Sequence, residues 1–218
     1  MKPRSIYLKF LQTLVWVGAL IIGVHHVGFA AAGGPDAYGY TWKDSNEPGG
    51  PTYQWIDITT TGTQVTGLGD DNFAGPFGFI DGFQFYWYYP TQVWIGSNGY
   101  LSFSGNNFAS PFPIIPNTAS PHNFIAGMMS DLNFDGPGNP GTCYYRNTSD
   151  TIVISWINVP FWTIGTPSFI GSNSFQIVLV RSDRSITFNY QSQLGMTQGD
   201  DITIGIENIT GHLGLQHS

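Results

Sequence analysis

Ser174-Phe175-Gln176-Ile177-Val178-Leu179-Val180 is followed by Arg181-Ser182-Asp183-Arg184-Ser185 and then by Ile186-Thr187-Phe188-Asn189-Tyr190-Gln191. Successive side chains of a strand point to opposite faces. Phe175, Ile177 and Leu179 therefore share one face, with Gln176, Val178 and Val180 on the other; Ile186, Phe188 and Tyr190 alternate with Thr187, Asn189 and Gln191. Ser182-Asp183-Arg184 between the two runs reads as a turn, so the pair is expected to be an antiparallel hairpin with one core face.

The same texture extends in both directions. Short β-branched and aromatic runs are cut by Gly, Asn, Asp and Pro, and no stretch of a dozen residues keeps a helical period. Strands are expected over Thr63 to Leu68, Gly82 to Tyr88, Thr91 to Gly96, Tyr100 to Ser104, Phe124 to Met129, Thr142 to Asn147, Ile152 to Val159, Ser174 to Arg181, Ser185 to Gln191 and Asp201 to Glu207. Asn98-Gly99 offers the two positive φ values of a type I′ turn between Val93-Trp94-Ile95 and Tyr100-Leu101-Ser102-Phe103. Thr148-Ser149-Asp150 turns the Tyr145 strand into the Ile152 strand. The fold class is all-β: a two-sheet antiparallel β-sandwich with jelly-roll-like connections. The Pro-, Gly- and Asn-rich stretches from Gly105 to His122 and from Asn133 to Gly141 are surface loops, the natural carriers of specificity.

Lys2, Arg4 and Lys9 precede an apolar run from Phe10 to Val24 and then Gly28, Ala30, Ala31 and Ala32, the layout of a secretory signal cleaved after Ala30 or Ala32. The apolar run, roughly 15 residues, is short of the ~20 that cross a bilayer. Residues 1–32 are thus expected to be a signal peptide and 33–218 a single secreted domain, with no stable membrane insertion after cleavage. That domain keeps Lys43, Arg146, Arg181 and Arg184 against fourteen acidic residues, a formal charge of 4 − 14 = −10. Nucleic acid is excluded as a partner, because phosphate binding rests on Lys and Arg. Cys143 is the only cysteine and is expected to be a buried bystander.

A family resemblance is carried by Trp42-x-Asp44-Ser45 with Gly49-Gly50-Pro51, Ser97-Asn98-Gly99-Tyr100-Leu101-x-Phe103, Phe112-Pro113, Asn123-Phe124-Ile125-Ala126, Asp131-Leu132, Tyr144-Tyr145-Arg146, Ile154-x-Trp156-x-x-Val159, Asn173-Ser174-Phe175-Gln176, Phe188-x-Tyr190 and Gly205-Ile206-Glu207-Asn208. In that order and spacing the chain, from about Ala37 to Gly211, resembles the nidogen-like extracellular domain and its bacterial relatives. The resemblance implies an adhesive or scaffolding module with no catalytic residues. One departure stands out: the family's Ile-Ala-Pro-Phe-Trp is replaced here by Ile125-Ala126-Gly127-Met128-Met129-Ser130, so properties that depend on that Trp do not carry over.

Asp131-x-Asn133-x-Asp135-Gly136 places three oxygen-bearing side chains at alternate positions before a glycine, as in the first half of a calcium loop. The second half is absent, since Thr142 stands where an EF-hand has Glu, and an Asx-rich turn accounts for the same residues. Asp131, Asn133 and Asp135 are therefore candidate calcium ligands of a β-protein loop. Asp44-x-Asn46-Glu47 and Asp70-Asp71-Asn72 are solvated turns or distant ligands of the same ion. A glycoside hydrolase would need two opposed carboxylates, and adjacent Asp70 and Asp71 on a strand would point apart. No Gly-x-Ser-x-Gly elbow exists, and the histidines of the domain are only His122, His212 and His217.

Phe83-Gln84-Phe85-Tyr86-Trp87-Tyr88-Tyr89 is the densest aromatic stretch. Read as a strand, it sends Phe83, Phe85, Trp87 and Tyr89 to the core and leaves Tyr86 and Tyr88 as candidate ligand-stacking rings. With Phe112 these are the expected contact residues. Asn147-Thr148-Ser149 and Asn208-Ile209-Thr210 fit the glycosylation sequon. The function expected is non-enzymatic adhesion to an extracellular protein or matrix surface. The alternatives are a calcium-assisted carbohydrate-binding module and a glycan-degrading enzyme.

Overall fold

Alternating residues make each strand half apolar, and two sheets bury those halves by packing face to face. In the computed structural model, which describes residues 32–79, 81–119, 121–195 and 202–217, the chain does this with strands alone. They are β1 (Ala32–Gly33), β2 (Trp42–Lys43), β3 (Thr63–Val65), β4 (Phe73–Gly78), β5 (Gln92–Gly96), β6 (Tyr100–Ser102), β7 (Phe124–Met129), β8 (Thr142–Asn147), β9 (Thr151–Trp162), β10 (Phe169–Val180), β11 (Ile186–Leu194), β12 (Thr203–Glu207) and β13 (Gly214–Gln216). One sheet has the order β11-β10-β9-β8-β3, the other β13-β12-β7-β6-β5-β4, and β1 pairs with β2 alone. All these pairings are antiparallel. The predicted signal segment, residues 1–32, lies outside the described residues except for Ala32. No helix among the described residues is long and apolar enough to cross a membrane.

Register explains the core. Trp156 of β9 faces Cys143 on one side and Phe175 on the other, Ile154 faces Ile177, and Ile152 faces Leu179. Tyr190, Phe188 and Ile186 of β11 continue these rows. The Trp156 indole stacks on Phe175 at a centroid distance of 5.0 Å and donates Nε1–H to the Gly96 carbonyl of the opposite sheet at 3.0 Å. Cys143 is buried in this core, and desolvation pushes its thiol pKa up.

The fold departs from three expectations and adds an edge strand at Phe73–Gly78. Gln176 and Val178, on the supposed outer face, are buried as well, because residues 54–58 lie across that face. Ile56 exchanges hydrogen bonds with the Gln176 amide (3.1 and 2.5 Å), and Ile58 packs on Val153 and Val178. The Asn98-Gly99 hairpin forms, but only Gly99 takes positive φ (76°), so the turn centres on Ser97-Asn98 rather than being type I′. Phe73–Gly78 is an edge strand in which Pro76 is tolerated at a register shift. Gly82 to Tyr88 is not a strand: Phe85 and Tyr88 form an isolated bridge around a tight turn, with Tyr86 at φ 51°.

Candidate functional site

The loop from β3 to β4 is built by short side-chain bonds. Gly67 takes φ 85°, and Asn72 closes the loop by donating to the Gly67 carbonyl (2.9 Å) and accepting from the Gly69 amide (2.8 Å). Ser97 of the β5–β6 turn hydrogen-bonds to the carbonyls of Asp70 and Asn72. From the same turn the fully buried Asn98 donates to Asp71 Oδ1 (2.7 Å) and to the Phe108 carbonyl (3.0 Å), and accepts from the Leu132 amide (2.9 Å). Asn98 thereby clamps the loop after β7 against the loop before β4. Asp70, Asp71 and Asp131 meet there, with a carboxylate oxygen of each within 4.8 Å of the others.

Three carboxylates at this spacing repel, by between about 1 and 4 kcal/mol for an ionised pair ~4 Å apart, depending on solvent access. The only ion pair among the described residues, His122 with Glu207, involves none of them. Burial, then the charges of Asp71 and Asp70, pushes the Asp131 carboxyl up to about 6. Burial, then Asp71 and Asp135, raises that of Asp70, whose Oδ1 is buried without a hydrogen-bond partner. Calcium binds oxygens at about 2.3–2.6 Å, so oxygens up to ~5 Å apart can share one ion. The arrangement is therefore chemically suited to a divalent cation.

Asp131, Asn133 and Asp135 do not form this set together. Asn133 is buried, donates to the Ser168 carbonyl (3.0 Å) and spends its Oδ1 on the Asp135 amide (2.6 Å). Asp135 Oδ2 accepts from the Asp70 amide at 3.1 Å and braces that loop. A Cβ at Gly69 would lie 2.9 Å from Asp135 Oδ2, so a larger residue there would push that carboxylate aside. Asp70 and Asp71 converge because they occupy a bend, not the strand that would send them apart.

The aromatic turn reverses its expected exposure. Tyr86 is 1% exposed and donates its hydroxyl to Asp36 Oδ2 at 3.1 Å, packed among Tyr38, Tyr40 and Phe85. Burial raises its pKa first, and Asp36 adds to the shift. Tyr88 is half-buried and hydrogen-bonds to Asn123. The rings that reach solvent are Trp87 (66% exposed) and Tyr89 (61%). They stand on a rigid base: Trp87 meets Tyr38 edge-on at 4.8 Å, and the Tyr89 hydroxyl donates to Gln84 Oε1 at 2.9 Å. Reading the stretch as a strand hid them; the Asp81-Gly82 pair just before it was the available hint of a turn, as both residues take positive φ.

The family model described as NIDO related matches residues 40–218. The chain belongs to the nidogen-related family. Searches of curated proteins and of solved structures find no match. The matched span of this nidogen-related domain takes in the carboxylate cluster, the aromatic turn and both long loops.

In the domain the loop from Gly105 to His122 is anchored on β12. Buried Glu207 accepts from the Asn117 amide (2.7 Å) and faces His122 Nδ1 (3.1 Å), while burial raises its own pKa against these two contacts. Phe112 is half-buried on the small cluster of Tyr100, Phe108, Ile115 and Phe124, and lines a shallow cavity of about 400 Å³. The sequon asparagines are engaged: Asn208 is buried and accepts from the Leu213 amide, and Asn147 accepts from Arg181 at 2.7 Å.

Proposed function

We propose that this nidogen-related domain is a non-enzymatic extracellular module that adheres to a protein or matrix surface through Trp87 and Tyr89, with a calcium ion on Asp70, Asp71 and Asp131 ordering the loops at its carboxylate cluster. The observation that carries the reading is the exposure of two large rings on a turn whose neighbours, Phe85 and Tyr86, are locked in the core. Trp and Tyr anchors presented rigidly dominate protein interfaces at small entropic cost.

The test is binding to a panel of immobilised extracellular matrix proteins. Truncating both rings, Trp87→Ala with Tyr89→Ala, weakens binding about 1,000-fold, at roughly 2 kcal/mol for each anchor. The same variant loses the ring contacts of Trp87 with Tyr38 and Tyr86 and the Gln84 hydrogen bond, about 1 kcal/mol or 2–4 °C in melting temperature. Undiminished binding by the double variant sinks the reading.

A further inference from the structure

A cleft of about 760 Å³ lies between β11 and the β12–β13 ribbon, bordered by residues 38–45 and 51–53, and includes none of Asp70, Asp71, Asp131, Trp87 or Tyr89. That volume falls within the roughly 300–1,000 Å³ of small-ligand sites. Of the four basic residues after the signal segment, two, Lys43 and Arg184, line this one cleft. Arg181, by contrast, is consumed internally by the carbonyls of Gly82 and Thr148 and by Asn147. Lys43 and Arg184 are exposed and make no ion pair among the described residues.

Two carboxylates also line the cleft, and both serve their own turns. Asp44 Oδ1 accepts from the amides of Asn46 (2.8 Å) and Glu47 (3.1 Å), and Asp183 Oδ1 from that of Ser185 (2.9 Å). Both carboxylates keep their charge but turn an oxygen toward their own backbone, and the donors that line the cleft are the Lys43 ammonium, the Arg184 guanidinium and the hydroxyl of Tyr40, whose oxygen accepts from the Tyr86 amide at 3.4 Å. Burial pushes Tyr40 up to about 12, opposed first by the hydrogen bond from the Tyr86 amide and last by the Arg184 charge. Arg184 also sits at φ 62°, where Gly or Asn is favoured and an arginine is mildly strained. The turn gains nothing from this side chain. Tyr53 lines the same cleft, is 50% exposed and makes no ring contact among the described residues, and Thr41, Ser45, Thr52 and Thr187 add hydroxyls to the lining.

We propose that this cleft binds an acidic oligosaccharide, the carboxylate of a uronate held by Arg184 and Lys43 and a sugar face stacked on Tyr53. A guanidinium pairs with a carboxylate through two parallel hydrogen bonds, and a phenol ring takes the apolar face of a sugar. An acidic peptide would satisfy the cations and leave the ring and the hydroxyls unused. The inference rests on the reading of the domain as an extracellular binding module and uses different residues.

Calorimetric titration of the protein with tetragalacturonate, neutral galactotetraose and tetraglutamate tests it. Tetragalacturonate is expected to bind, and the other two to bind at least about tenfold more weakly. Arg184→Asn weakens the uronate about tenfold while leaving the melting temperature unchanged or raised, and Tyr53→Ala weakens it comparably. No tetragalacturonate binding, equal binding of tetraglutamate or galactotetraose, or an unaffected Arg184→Asn variant overturns the proposal. The Trp87→Ala, Tyr89→Ala variant keeps its uronate binding. Loss of matrix adhesion in that variant with no uronate binding in the parent refutes the cleft alone; uronate binding without matrix adhesion refutes the adhesive surface alone.

Discussion

Trp156→Ala lowers the unfolding free energy by about 4–6 kcal/mol. Truncating a buried Trp costs about 3–5 kcal/mol through lost transfer energy and the cavity left behind. The Gly96 carbonyl, which receives the indole N–H at 3.0 Å, then loses that partner inside the sandwich, for about 1 kcal/mol or more. Against a typical domain stability of about 5–15 kcal/mol this is a loss of roughly 10–20 °C in melting temperature, or of folding at 37 °C. Trp156→Phe keeps a ring against Phe175 and removes the inter-sheet hydrogen bond, so it costs about 1–3 kcal/mol. Thermal unfolding of the two variants should place them in that order. A Trp156→Ala melting temperature within about 2 °C of the parent would show that the indole does not tie the sheets together.

Calcium at about 100 times its dissociation constant raises the unfolding free energy by about 2.7 kcal/mol, or roughly 5–10 °C, at pH 7.5. The gain comes from placing a cation among Asp70, Asp71 and Asp131, whose mutual repulsion has no counter-cation among the described residues. Its pH dependence has a definite sign. The folded-state pKa of Asp131, about 6, lies above its ordinary 3.8. Without metal, its favourable contribution is present below pH 3.8 and is lost as pH rises through 6. Metal needs the ionised carboxylates, so the calcium-induced shift is full above pH 6 and shrinks as protons compete below it. Asp131→Asn removes one repelling charge: in chelator at pH 7.5 it melts at or a few degrees above the parent, and it gains nothing from calcium. Melting curves of both proteins, with calcium and with chelator at pH 7.5 and pH 5, separate these effects. An equal calcium shift in Asp131→Asn, or none in the parent at pH 7.5, removes the ion from this cluster.

Local pattern sufficed for the all-β class, for the antiparallel hairpins at Ser97-Asn98-Gly99, Thr148-Ser149-Asp150 and Ser182-Asp183-Arg184, and for the core row of Phe175, Ile177 and Leu179. Each of these follows from a period of two and from turn chemistry within a dozen residues. Tertiary structure decided the rest. Whether Gln176 and Val178 meet solvent depends on residues 54–58, some 120 positions away, crossing that face. Whether Tyr86 or Trp87 is exposed turned on the tight turn between Phe85 and Tyr88, with Tyr86 at φ 51°, which breaks the alternation of a strand. Asp131 meets Asp70 and Asp71 because Asn98 clamps two loops that belong to different hairpins. Lys43, Tyr53 and Arg184 share a cleft because two sheet edges and an early segment of the chain come together there. Alternation is a property of neighbours along the chain, whereas exposure and convergence are set by what else the fold brings to the same place, and a local pattern carries no record of that.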